Sequence, residues 1–213
     1  MSASMTTPSS PLTLAHWRRT VTEMYAAVRA ASVHDPAAAA AQFRAKRDRL
    51  FLDHPESPIA SVDRPNWHGA SWYPYDATWR IVGKVSPAMN DSPFEIPLAA
   101  DGVMRCKHVG AVSFRWGDAA AELALYWLEG YGGGLWLPFA DATCGDTTYG
   151  GGRYLYDTIK GADLGADDNE FVLDFNFAYN PSCAYDERWS CPLSPQENKL
   201  PFAVTAGERL PVR

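Results

Sequence analysis

The sequence predicts a mainly β domain, α+β overall, in which an antiparallel β-barrel or sandwich follows an N-terminal helical hairpin. Three observations carry this. Up to about residue 52 the apolar residues recur every three to four positions, and after Pro58 they recur every second position. Asp101-Gly102 stands between two alternating runs, the strongest short hairpin signal. Aromatic residues make up 13% of the chain, and large rings suit pleated surfaces. With 213 residues there is room for one core and not for two catalytic domains. Residues 1–11 read as a disordered tail, 12–58 as the hairpin and 59–213 as the β-rich domain.

In the first helix Leu14, Trp17, Val21, Met24, Tyr25 and Val28 form one apolar face that runs to about Ala31. Asp35-Pro36 supplies a cap and a first-turn proline for a second helix over 37–52, ended near His54-Pro55. Its Arg44, Lys46, Arg47 and Arg49 read as a solvated basic face. Strands follow at 79–82, 94–99, 103–108, 112–116, 122–128, 135–140, 153–158 and 171–179, which gives seven to nine in all. Gly117-Asp118 and Tyr131 to Gly134 turn between them.

The net charge of −6 disfavours a general affinity for nucleic acid or anionic membrane, and no apolar run is long enough to span a bilayer. Without a basic and apolar leader at its start, the chain is expected in the cytoplasm. Four scattered cysteines with no C-x-x-C pair, and five histidines without ligand spacing, predict no metal and no cofactor. The expected partner is a small molecule, with an anionic group. Oligomeric state is left open.

The densest special-geometry residues are F-A-D-A-T-C-G-D-T-T-Y-G-G-G-R-Y-L (139–155), L-D-F-N-F-A-Y-N-P-S-C-A-Y (173–185), C-P-L-S-P-Q-E-N-K-L (191–200) and A-G-E (206–208). In these strings the chain resembles domain-of-unknown-function family 1684 of bacteria and archaea. The resemblance is close over 139–208 and looser over 12–138. Ser182 and Ser194 depart from it, since the family usually has proline there. It implies no particular reaction, so the chemistry has to come from residue types.

If Phe171 to Tyr179 is one strand, alternation puts Asp174 and Asn176 on the face opposite Phe171, Leu173, Phe175, Phe177 and Tyr179. Arg153 then lies near Asp174 or Asp141. One reading is a pocket in which Arg153 holds a ligand anion while Asp174, positioned by Asn176, exchanges protons with help from Tyr149 or Tyr179. Asn176, Asn180, Asp141 and Thr143 complete the candidate substrate-binding set. The other reading is a buried Arg–Asp pair with capping side chains. Gly150-Gly151-Gly152 reads as a permissive turn, and the tryptophans as core. Cys183 has only Pro181, Ala184 and Tyr185 beside it, so its thiol is expected to keep an ordinary or raised pKa, as a structural cysteine or bridged to Cys191. Two functions of different class remain: an uncharacterised small-molecule enzyme with carboxylate acid/base chemistry, and a non-catalytic binding or structural β domain.

Overall fold

A computed structural model describes residues 9–100, 102–167 and 169–211. Helix α1 spans Pro11–Ala31, with Ser10 as its N-cap and Thr13 completing a capping box, so the helix and its cap take up the last residues assigned to the tail; residues 1–8 lie outside the described residues. Helix α2 spans Pro36–Asp53, capped by the Asp35 side chain on the Ala38 amide. Of the face read from the 3.6-residue period, Met24, Tyr25 and Val28 are buried and Trp17 and Val21 half-buried, while Leu14 near the helix start stays exposed.

Among the described residues eight strands follow: β1 Arg80–Pro87, β2 Pro93–Pro97, β3 Val103–Trp116, β4 Ala119–Leu128, β5 Gly134–Phe139, β6 Arg153–Asp157, β7 Ala166–Asp167 and β8 Glu170–Asp174. All pair antiparallel in one curled sheet, a half-barrel ordered β6-β5-β4-β3-β1-β8-β7, with β2 beside the first half of β3. The β2–β3 hairpin closes where the Leu98 amide donates to the Gly102 carbonyl at 2.8 Å, with Gly102 at φ +79°. Asp101, the other half of that turn signal, lies outside the described residues.

One expected strand is cut short. The 171–179 strand stops at Asp174, because the Asp174 side chain caps the Asn176 amide and starts a 3₁₀ turn at Phe175–Phe177. The turn carries the chain across the half-barrel, where Tyr179 pairs with Tyr154 of β6 at 2.9 and 3.1 Å. Period-two alternation therefore does not extend to Asn176: this residue and its neighbours Phe175 and Phe177 are all fully buried.

Phe175 meets Phe139, Phe114 and Trp79 at 5.1 to 5.7 Å between ring centres, and Trp79 stacks on Trp116 at 3.7 Å. The tryptophans at 79 and 136 are core, as expected. The hairpin packs over the open side of the half-barrel through Phe43, which touches Tyr25 at 5.1 Å and Phe177 at 5.2 Å.

Asn198, fully buried, holds β4 to β5: its carboxamide accepts from the Ala124 amide at 2.7 Å and donates to the carbonyls of Ala124 at 2.9 Å and Pro138 at 2.7 Å. Asn198→Ala strands three interior backbone groups, each costing about 1–3 kcal/mol when left unpaired. A loss of at least about 2 kcal/mol in urea denaturation is expected; an unchanged midpoint would show that this clamp holds nothing.

Candidate functional site

The residues expected to form one pocket fall into four places. The first is a sealed node. Arg153 opens β6 with no exposed surface, and its Nη2 donates to Asp141 Oδ2 at 2.8 Å and to the Val204 carbonyl at 3.0 Å. Its Nη1 donates to the carbonyls of Glu208, at 3.1 Å, and Ala206. Asp141 Oδ1 accepts from the Thr143 amide, the Thr143 hydroxyl and the Val204 amide at 2.6 to 3.1 Å, and Thr143 bonds Thr148 at 2.8 Å. Arg153, Asp141 and Thr143 are thus brought together as anticipated, yet both guanidinium Nη atoms are already engaged inside the protein.

The second place is a cleft of about 320 Å³ lined by Asp174, Arg80, Arg29, Ser32, Glu170 and Asp167 among others. Asp174 and Asn176 do meet: Asp174 Oδ1 accepts from the Asn176 amide at 3.1 Å and its Nδ2 at 2.9 Å. Asn176 is in turn tied to the Asp76 backbone through both ends of its carboxamide. The other Asp174 oxygen has Arg80 Nε at 3.8 Å, a loose pair that leaves the guanidinium uncommitted. Burial raises the Asp174 pKa above the usual carboxylate value, against the opposing pull of the Asn176 bonds and of Arg80 and Arg44. The Ser32 hydroxyl bonds to no protein group.

The third place centres on Glu208. Its carboxylate, wholly buried, receives Arg47 Nε at 2.6 Å, Arg47 Nη2 at 3.3 Å, the Asn180 amide at 2.6 Å and the Tyr185 hydroxyl at 2.8 Å. This corrects the reading of Arg47 as solvated surface: it is 9% exposed and lies over the rings of Phe51 and Tyr179 at 4.4 and 5.1 Å. Gly207 sits at φ +79°, and a Cβ there would stand 2.6 Å from the Ala178 carbonyl oxygen, so only glycine lets this segment approach. Beside the node Tyr25, Tyr179, Asn180 and Lys160 line a cavity of about 60 Å³. A space of this size suits a few waters rather than a substrate, and Tyr25 Oη, Tyr179 Oη and Asn180 Oδ1 have no protein partner. The candidate base Tyr179 therefore lies away from Asp174.

Tyr149 lies elsewhere again, its hydroxyl 3.5 Å from Cys183 Sγ. The Cys183 thiol departs from the ordinary or raised pKa expected from its sequence neighbours. A hydrogen bond from the Cys191 thiol, aided by Tyr149, its own backbone and the charge of Lys160, outweighs burial and lowers the Cys183 pKa to about 6. None of these groups is a sequence neighbour of Cys183, so the local composition could not show them. The same holds for His16 of α1 and His54 just past the end of α2, which meet at 3.0 Å. Among the described residues no three His, Cys, Asp or Glu side chains gather as a metal-binding group, and no helix is long and apolar enough to cross a membrane.

Fold and site define a half-barrel domain capped by a helical hairpin, with a buried carboxylate node where the two meet. The chain belongs to the family described as Protein of unknown function (DUF1684), whose model matches residues 65–209. It is similar to the solution NMR structure of an uncharacterised protein from Haloarcula marismortui, at 33% identity over 79% of this chain and 91% of that one, with a TM-score of 0.58. No curated protein matches the chain.

Two outcomes follow. Glu208→Gln leaves Arg47 buried without its counter-charge and is expected to cost about 3–5 kcal/mol, read from denaturant unfolding; a loss below about 1 kcal/mol would mean that the node is replaceable. In the folded protein the rate of Cys183 alkylation by iodoacetamide should rise through a midpoint near pH 6 and level off above it, since the thiolate is the nucleophile. A midpoint near the ordinary thiol value, followed by peptide mass spectrometry, would contradict the contacts described.

Proposed function

We propose that the chain is a small-molecule enzyme whose substrate occupies the cleft beside Asp174. Arg80 holds an anionic group of the substrate, and Asp174 exchanges a proton with it. The carrying observation is that a buried carboxyl of raised pKa and a loosely paired guanidinium share the wall of one cleft large enough for a metabolite. The anion-holding part passes from Arg153, which is spent on Asp141, to Arg80. Glu170 and Asp167 on the same wall disfavour a multiply charged anion, so a monoanion or a zwitterion fits. Four free thiols suit a reducing bacterial cytoplasm, and we place the chain in that compartment.

A specific observation favours the competing reading of a non-catalytic binding or structural domain: Asp141, Thr143 and both Nη atoms of Arg153 are taken up by internal hydrogen bonds. The readings separate in a thermal-shift screen of small carboxylates, amino acids and phosphate monoesters. A ligand at about 100 times its Kd adds about 2.7 kcal/mol, or about 5–11 °C in Tm for a chain of this size. Arg80→Ala should abolish the shift. Asp174→Asn should keep the shift but lose conversion of that ligand, followed by NMR. A screen without a shift, or a shift undiminished in Arg80→Ala, would refute the cleft as the site; a shift with no conversion by the unaltered protein would favour the binding domain.

A further inference from the structure

We infer that Cys183 and Cys191 form a peroxide-oxidisable thiol pair, in which Cys183 is attacked first and Cys191 resolves the product into a disulfide. The two lie eight residues apart on either side of the Asp186–Trp189 turn, and the Cys183 amide donates to Cys191 Sγ at 3.4 Å. That amide contact holds the Cys191 sulfur beside Cys183, and Tyr149 Oη stands 3.5 Å from the Cys183 sulfur. Both cysteines are partly exposed, so a small oxidant reaches them. Cys106 differs on each count: it is fully buried, and burial pushes its thiol up to about 11. Cys144 takes a backbone bond from Asp141 instead.

The proton inventory matches this order. Hydrogen bonding with Cys183 and burial raise the Cys191 pKa, so Cys191 keeps its proton while Cys183 is the thiolate. The Cys183 sulfur attacks one oxygen of hydrogen peroxide: the S–O bond forms, the O–O bond breaks, and the departing hydroxide takes up a proton to leave as water. Cys183 is then a sulfenic acid. The Cys191 sulfur attacks the Cys183 sulfur, the S–S bond forms, the S–O bond breaks, and the second water carries off the Cys191 proton. Two thiols lose two electrons in all, and one peroxide becomes two waters. A resolving thiol held against the Cys183 backbone makes this second step intramolecular, and so faster than over-oxidation by a second peroxide.

The test uses the full, reduced, folded chain. Hydrogen peroxide at one equivalent and pH 7 should remove two of the four thiols counted by maleimide mass tagging, with a fall of about 2 Da in mass. Trypsin cleaves after Lys160, Arg188 and Lys199, so the disulfide shows as peptide 161–188 joined to peptide 189–199 without reductant. Cys191→Ser, checked for folding by circular dichroism, should leave a dimedone-reactive sulfenic acid on Cys183. Oxidation that falls equally on Cys106 and Cys144, or that takes Cys183 to a sulfinic acid with no joined peptide in the unaltered protein, would overturn the pairing. The joined peptide comes from the native sequence, so its presence or absence decides the matter even if a variant fails to fold.

Discussion

A carboxylate in an apolar interior is tolerable only when every lone pair is met, and Glu208 makes that requirement the organising constraint of the molecule. Its donors come from far apart in sequence: Arg47 from α2, Asn180 and Tyr185 from the segment after β8. Satisfying them seats the hairpin on the half-barrel and draws the C-terminal segment beneath it. The backbone of that segment then serves the neighbouring charge, since the carbonyls of Val204, Ala206 and Glu208 receive Arg153. Two buried ion pairs are thus joined through one short stretch of main chain, and Gly207 is the residue that lets the stretch come so close.

What can be read from sequence follows from the range of the forces involved. Helix faces and strand alternation are set by neighbours within a few residues, so α1, α2, the β2–β3 hairpin and most strands are legible from spacing. The strand expected over 171–179 fails at Asp174 because a side-chain cap competes with the ladder, and periodicity does not register that competition. The Arg153–Asp141 pair is legible in principle, since a guanidinium among apolar neighbours must find a counter-charge. Arg47 is not. Four basic residues on one helix look solvated, and only partners distant in sequence, the A-G-E segment for Arg47 and Tyr73 for Arg44, show that two of them point inward.

Charge also separates the candidate sites by what each residue still has to offer. Arg153 and Glu208 bring strong electrostatics but no freedom, because their Nη atoms and oxygens are filled by the protein itself. Arg80 and Asp174 sit at 3.8 Å, an ion pair without a direct hydrogen bond, and Cys183 owes its acidity to weak sulfur hydrogen bonds that a reaction can break.

The acid and the thiol nevertheless share a support. Asp174 ends β8, and Cys183 follows nine residues later along a tract whose Phe175, Phe177 and Ala178 are wholly buried and whose Tyr179 is fastened to β6. Asn180, three residues before the thiol, is held by Glu208. Moving the tract means opening the core, which costs far more than either site could gain from a shift, so the distance between acid and thiol is fixed by packing. A substitution at Glu208 therefore acts on both sites at once, through their common backbone. Changes confined to Arg80 or to Cys191 act on one alone, which is why those two residues, and not the buried node, separate chemistry from architecture.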